Sequence, residues 1–364
     1  MASAPSVRKQ RRDAARAVAR TQAREARAAR GGRPAPIVLI GGGLAAVLLL
    51  FAAVTVVRAW LVDPLTRARA SYAAGNYRAA RVDLTAAAME HPDDPAIRID
   101  LARAYNALGY GVEAERQLDK AAELGADLDQ LRIERAEAQL AAGHPELALA
   151  TLSGPIAARD ATRAHRIAAE AHYRLGHVAA ARDNFARALH TSPDDAELWI
   201  AYARFRLAEQ DVLDADRAAD EARTLAPGSA AALAVKADVV RTRGGPVASL
   251  PWYQAALGRD PDNVAVMLEY AAALGTSGRY TAMLEPLRRA AELEPHNPRG
   301  LFLGATLAAR GDEPALARTL LGRINGGDAD LPGVLQLRAA VELALDTPVA
   351  AANHAARLVE QQPD

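Results

Sequence analysis

The chain contains no cysteine. That excludes a disulfide framework, thiolate metal sites, a catalytic thiol and a lipidated cysteine anchor. Aromatic residues are scarce, at 4% against 51% hydrophobic residues overall, and alanine dominates the apolar half. Sheet-based cores draw on Val, Ile, Phe and Tyr, so this composition points to closely packed helices. Net charge is also absent, because 44 basic residues match 44 acidic ones. The balance hides an asymmetry. Residues 1–33 carry ten Arg and Lys against two Asp and Glu, whereas the other 331 residues carry 34 against 42. Such a split suggests different surroundings for tail and body.

Charge is missing altogether from Pro34 to Val57. The apolar run Ile37–Val57 spans 21 residues, roughly 31 Å of helix, which matches a hydrocarbon core of about 30 Å. Gly41, Gly42 and Gly43 suit a membrane span better than a soluble helix, and Trp60 follows where an interfacial anchor belongs. The pattern predicts a basic cytoplasmic tail over 1–33, a transmembrane helix over 34–58 and a distinct domain over 59–364. A cleaved signal peptide is the rival reading. It fits less well, because such apolar regions run about 7–15 residues and end at small residues, whereas Val57-Arg58-Ala59-Trp60 is bulky. Positive residues flanking a span stay in the cytoplasm. The expected topology is single-pass in the inner (cytoplasmic) membrane, N-terminus inside, with the C-terminal part periplasmic or otherwise extracytoplasmic. Arg8, Arg12, Arg16, Arg20 and Arg24 would form one stripe if helical. That stripe reads either as a solvated topogenic tail or as a surface lying on anionic lipid. Neither aromatics nor a motif support nucleic-acid binding.

Beyond the span a period dominates. Gly75, Gly109, Gly143 and Gly176 recur at 34, 34 and 33 residues, and Gly244 and Gly278 continue the register. Pro193, Pro227, Pro261 and Pro295 are each 34 apart. A proline ends the preceding helix through the residue before it. The polar pairs that follow, such as Asp194-Asp195 and Asp262-Asn263, offer N-cap acceptors to the next helix.

This pattern resembles the tetratricopeptide repeat, a 34-residue helix–turn–helix unit. Unit starts fall near Leu61, Pro95, Asp129, Thr162, Ala196, Ala230, Val264, Pro298 and Pro332. The small residue at position eight is alanine in all nine units, from Ala68 to Ala339. Alanine recurs at position twenty (Ala80, Ala114, Ala181) and twenty-seven (Ala87, Ala121, Ala188), with a large residue at twenty-four (Leu84, Phe185, Tyr253). The resemblance implies an all-α, right-handed α-solenoid of about nine repeats, in which each unit buries its face only against its neighbours. Three departures stand out. Ser153-Gly154-Pro155 should end a helix early, with a bend near 153–161. Pro251 should delay the second helix of unit six, whose turn is expected at Gly244. The eighth unit, with Gly311 and Pro314, fits least. Val349, Ala352, Ala356 and Val359 in the last helix have no following helix in this chain, so a partner, a second copy through self-association, or further chain is expected over them.

No phosphate-cradling loop, nucleophile elbow or metalloprotease helix motif occurs. His165, His172, His177 and His190 do not show the convergence of a metal site. The expectation is a non-enzyme without cofactor or metal. The resemblance implies a concave groove on the first helices that holds extended or helical peptides. Here it would be lined by Arg69, Tyr72, Arg103, Asn106, Arg163, Arg166, Tyr173, Arg204 and Phe302. These arginines either favour an acidic ligand or are paired with neighbours such as Glu134, Glu137 and Glu170. The partners expected are other envelope proteins or their peptide segments, and no nucleic acid. The leading expectation is a scaffold for envelope assembly or polysaccharide export. The alternatives are a chaperone-like role in cytochrome c maturation, or the repeat portion of a longer enzyme.

Overall fold

The computed structural model describes residues 63–361 together with Arg20. The chain divides into two compact units, residues 1–67 and 68–364, and the second holds nearly all of the described structure. The expected span, and the basic tail apart from Arg20, lie outside the described residues. Among the described residues, no helix is long and apolar enough to cross a membrane.

All regular structure among the described residues is helical, with eighteen α-helices and two 3₁₀ turns. The helices pair as nine helix–turn–helix units. Units one to three are Pro64–Ala73 with Tyr77–Glu90, Pro95–Ala107 with Gly111–Glu123, and Arg132–Ala141 with Pro145–Leu152. Units four to six are Ala161–Arg174 with Val178–Thr191, Ala196–Ala208 with Val212–Leu225, and Ala230–Gly244 with Pro246–Arg259. Units seven to nine are Val264–Thr276 with Tyr280–Leu293, Pro298–Arg310 with Pro314–Gly322, and Pro332–Ala344 with Pro348–Gln361. From unit two onward the two helices of each unit pack against each other, and consecutive units pack together along the array, which is α-solenoid packing.

The alanine register has a direct structural cause. Position eight is fully buried in the first eight units, from Ala68 to Ala305, because there the two helices of a unit cross at close range and a longer side chain would part them. In unit nine Ala339 is only half-buried, since among the described residues no further unit covers it. Large side chains fill the space the alanines leave: Leu84, Leu118, Phe185 and Tyr253 are almost wholly buried. Ser249 replaces alanine at position twenty and is also fully buried. Its hydroxyl donates to the Pro246 carbonyl at 2.8 Å, so no polar group is left unsatisfied.

The caps act as expected from the polar pairs. In each pair it is the second residue that accepts: Asp94 from the Ala96 amide at 2.8 Å, Asp195 from Glu197 at 2.9 Å, and Asn263 from Val266 at 3.1 Å. The unit turns pass through a left-handed residue. Glycine serves at Gly75, Gly109, Gly143, Gly176 and Gly278, but Gln210, Asp312 and Asp346 adopt the same positive φ in units five, eight and nine.

Three local expectations need revision. In unit six the left-handed residue is Gly245, with φ +83°, whereas Gly244 closes the first helix. The second helix of that unit does not start late. It begins at Pro246 and runs through Pro251 to Arg259. The carbonyl that Pro251 cannot bond belongs to Val247, which is 54% exposed and so open to water. Burial of Leu250, Tyr253 and Ala256 holds the helix around it. The first helix of unit three begins at Arg132, three residues later than expected. Asp127 folds the preceding residues into a turn by accepting from the Asp129 amide at 3.0 Å. The second helix of that unit does end at Leu152, before Ser153-Gly154-Pro155.

Candidate partner-binding cavity

Units one to seven of the array line a cavity of about 1640 Å³ that is open to solvent. First helices of units two to seven supply much of its lining, through residues such as Arg103, Glu137, Arg166, Arg204, Ala234 and Val266. Turn residues of units one and two, around Tyr77 and Tyr110, form one edge, and inter-unit loops around Asp262 and Asn297 form another. The two edges meet at a seam. Arg78 of unit one pairs with Glu294 at the end of unit seven, across 216 residues of sequence. The Tyr110 hydroxyl donates to the same carboxylate at 2.6 Å, across 184 residues. Asn297 donates to it from its own side at 2.8 Å. Burial would raise the Glu294 carboxyl, but its bonds to Tyr110, Asn297 and Arg78 outweigh that and hold it below the usual carboxylate range. Tyr110 is pushed up to about 12 by burial and by Glu294.

Seven of the nine expected groove residues line this cavity: Tyr72, Arg103, Asn106, Arg163, Arg166, Tyr173 and Arg204. Arg69 lines a small adjoining pocket with Ala68, Leu84 and Asp100. Phe302 lies elsewhere. It belongs to unit eight, beyond the seam, and packs with Leu301, Ala305 and Val334.

The arginines of the first four units do not form a basic surface. Arg69 pairs with Asp100 at 3.1 Å, and Arg103 with Asp100 and Glu134 at 3.3 and 2.9 Å. Arg163 pairs with Glu134 and Glu137 at 3.2 and 2.8 Å. Arg166 pairs with Glu137 and Glu170 at 2.5 and 2.9 Å. Charge therefore alternates along a ladder from unit to unit. Burial pushes the Glu137 carboxyl up, yet Arg166 and Arg163 outweigh it and hold it below the ordinary range. Seven arginines and seven acids line the cavity as a whole.

Aromatic rings occupy two parts of the wall. Tyr72 and Tyr77 meet edge to face at 5.1 Å. Tyr173 meets Phe205 at 5.3 Å, and Phe205 stacks on Phe185 at 5.0 Å. Tyr77 is pushed up to about 12 by burial, then by the fields of Glu197, Tyr72 and Asp260, which brings charges of the fifth and sixth units to bear on the first. The remaining wall is small and apolar, formed by Ile200, Ala201, Ala231, Ala234 and Val264.

The histidines do not converge. His165 bonds Asn184 at 3.0 Å. The His172 and His177 rings sit 5.7 Å apart, and burial, then His177, pushes His172 down.

Nine stacked two-helix units, the first seven of which line one cavity, define a helical repeat protein of the α-solenoid class. Tetratricopeptide-repeat models match residues 71–132 and 162–205. The chain thus carries tetratricopeptide repeats over these segments, a kind of repeat that serves in protein–protein interaction. A search of the curated proteins finds no match. Among solved structures, a human IFIT1 dimer with m7Gppp-AAAA is 15% identical with a TM-score of 0.57, covering 81% of this chain and 75% of that one. The Cut9–Hcn1 hetero-tetramer of APC/C is 12% identical with a TM-score of 0.53, covering 79% and 55%. The Pseudomonas aeruginosa pilF structure is 19% identical with a TM-score of 0.43, covering 54% and 90%. At these identities the first two show the fold alone.

Proposed function

We propose that this chain is a membrane-anchored scaffold of the bacterial envelope whose cavity holds a segment of another envelope protein. The observation that carries the segment-binding reading is the cavity itself. At about 1640 Å³ it exceeds the roughly 300–1,000 Å³ of small-molecule sites. A helix about 10–12 Å across, rising 1.5 Å per residue, sweeps roughly 120–170 Å³ per residue, so the space suits a segment on the order of ten residues. The anchor and its direction rest on the uncharged run 37–57 behind ten basic residues. The array then lies outside the cytoplasmic membrane, where it gathers proteins of envelope assembly or polysaccharide export.

In-cell crosslinking tests this reading. A photoreactive residue at Ala201, on the cavity wall, should join a defined segment of an envelope protein. One at Arg187, 62% exposed on a second helix, should not. Adducts from Arg187 alone would refute cavity binding. A C-terminal alkaline-phosphatase fusion tests the topology: activity is expected, and an inactive but stable fusion would reverse the orientation.

A further inference from the structure

We infer that the cavity selects an acidic segment with small or apolar side chains on one face, and that Arg204 and Arg259 read its carboxylates. This inference rests on the segment-binding reading. Its basis is the set of cavity charges that already have partners. Arg78, Arg103, Arg163 and Arg166 are each bound to carboxylates, and Arg174 donates to the Leu140 carbonyl. On the acidic side Glu137, Glu170 and Glu294 answer those arginines. Asp262 pairs with Arg289 at 2.7 Å. Asp195 caps a helix, and Asp260 accepts from Asn263 at 3.0 Å.

Three charges remain. Arg204 and Arg259 are exposed within the cavity lining and make no ion pair or hydrogen bond among the described residues. Glu197 is exposed and its carboxylate makes no ion pair among them. The lining as a whole is balanced, seven arginines against seven acids; what it presents to a ligand is two open guanidiniums, whose planar forks suit carboxylates. Glu197 and Arg204 lie seven residues apart on one helix, two turns or about 10.5 Å along its axis and on one face. Between them stands Ala201, continuous with the small apolar wall of Ala231, Ala234 and Val264. A matching segment sets an acid against Arg204, small or aliphatic side chains on the alanines, and a basic or amide group against Glu197. A nucleic-acid strand fits poorly, because a phosphate at every nucleotide needs a row of open cations, whereas the lining offers two, Arg204 and Arg259, enough for one or two acids of a peptide.

The test pans a phage-displayed library of twelve-residue peptides on the full chain in nanodiscs. Enriched peptides should carry Asp or Glu beside alanine and aliphatic residues. The tightest, fluorescein-labelled, should bind roughly tenfold or more weakly to Arg204→Glu and unchanged to Arg187→Glu. Since Arg204 is exposed and unpaired, its urea midpoint should match that of the parent, which separates lost recognition from lost folding. Enrichment without acids, an unchanged affinity for Arg204→Glu, or displacement by a single-stranded RNA twelve-mer at lower concentration than by the peptide would overturn the inference. If crosslinking from Ala201 succeeds while acid selection fails, segment binding stands and this inference falls. If both fail, the reading beneath it falls too.

Discussion

Removing the Glu294 carboxylate should open the seam that closes the cavity. Two bonds cross there to that one group, from Arg78 and from the Tyr110 hydroxyl. Hydrogen bonds to a charged group contribute about 1.5–3 kcal/mol each. Only 20% of the Arg78 side chain and 17% of Glu294 is exposed, so solvent screens the pair modestly. Glu294→Ala should therefore cost closure about 3 kcal/mol, roughly a hundredfold in the closed-to-open ratio. Because the chain lacks cysteine, Val82→Cys and His296→Cys can be spin-labelled without interference, both positions being exposed. Double electron–electron resonance should show one narrow distance distribution, which broadens and lengthens in Glu294→Ala and narrows again when Arg78→Glu is combined with Glu294→Arg. The pH dependence has a definite sign. The Glu294 carboxyl is depressed in the fold, so its contribution is complete above the ordinary value of about 4.3 and is lost as pH falls through the lower folded value. Tyr110 is raised to about 12, so its contribution is complete below about 10 and fades only as pH rises toward 12. The seam should stay closed from pH 5 to 9. A distribution as narrow in Glu294→Ala as in the parent would refute this account of closure.

Other substitutions test separate links. Arg166→Ala strands Glu170 and leaves Glu137 with Arg163 alone, and should destabilise by about 2–3 kcal/mol, whereas Arg204→Ala should change urea stability by less than about 0.5 kcal/mol. Equal losses would show that the ladder is not structural. Gln210→Gly relieves a left-handed side-chain residue, φ 62°, and should raise stability by about 1 kcal/mol; a lower urea midpoint would contradict this. Gly111→Ala would place a Cβ 2.2 Å from the Ala142 amide nitrogen and 2.3 Å from the Ala138 carbonyl oxygen, backbone that cannot yield. It should cost about 3 kcal/mol or more, and a neutral melt would mean that units two and three pack otherwise.

The period was legible because each repeat imposes the same steric demand. Alanine at a close helix crossing and a polar cap after a proline are local requirements, so their spacing appears directly in the sequence. The departures were legible only in part. Ser153-Gly154-Pro155 ended its helix as expected, but Pro251 did not delay one, because a proline near a helix start frees a carbonyl that water can reach. Of the non-glycine turns, Asp312 and Asp346 carry a weak local signal, since aspartate tolerates the left-handed region, whereas Gln210 carries none. The cavity was the least legible feature. Its closure depends on small rotations summed over seven units, and the Glu294 contacts span 216 and 184 residues. The ion-pair ladder was readable as one of two options for the arginines. Only the positions of Glu134 and Glu137 relative to Arg163 and Arg166 decide it, leaving Arg204 and Arg259 as the open cations.

The central claim is that a protein segment occupies the cavity. Photo-crosslinking from Ala201 in intact cells, with adducts sequenced by mass spectrometry, tests it most directly. The account predicts one recurrent segment on the order of ten residues, bearing Asp or Glu, joined from Ala201 and lost with Arg204→Glu. Adducts that arise from the outer position Arg187 and not from Ala201 would contradict it.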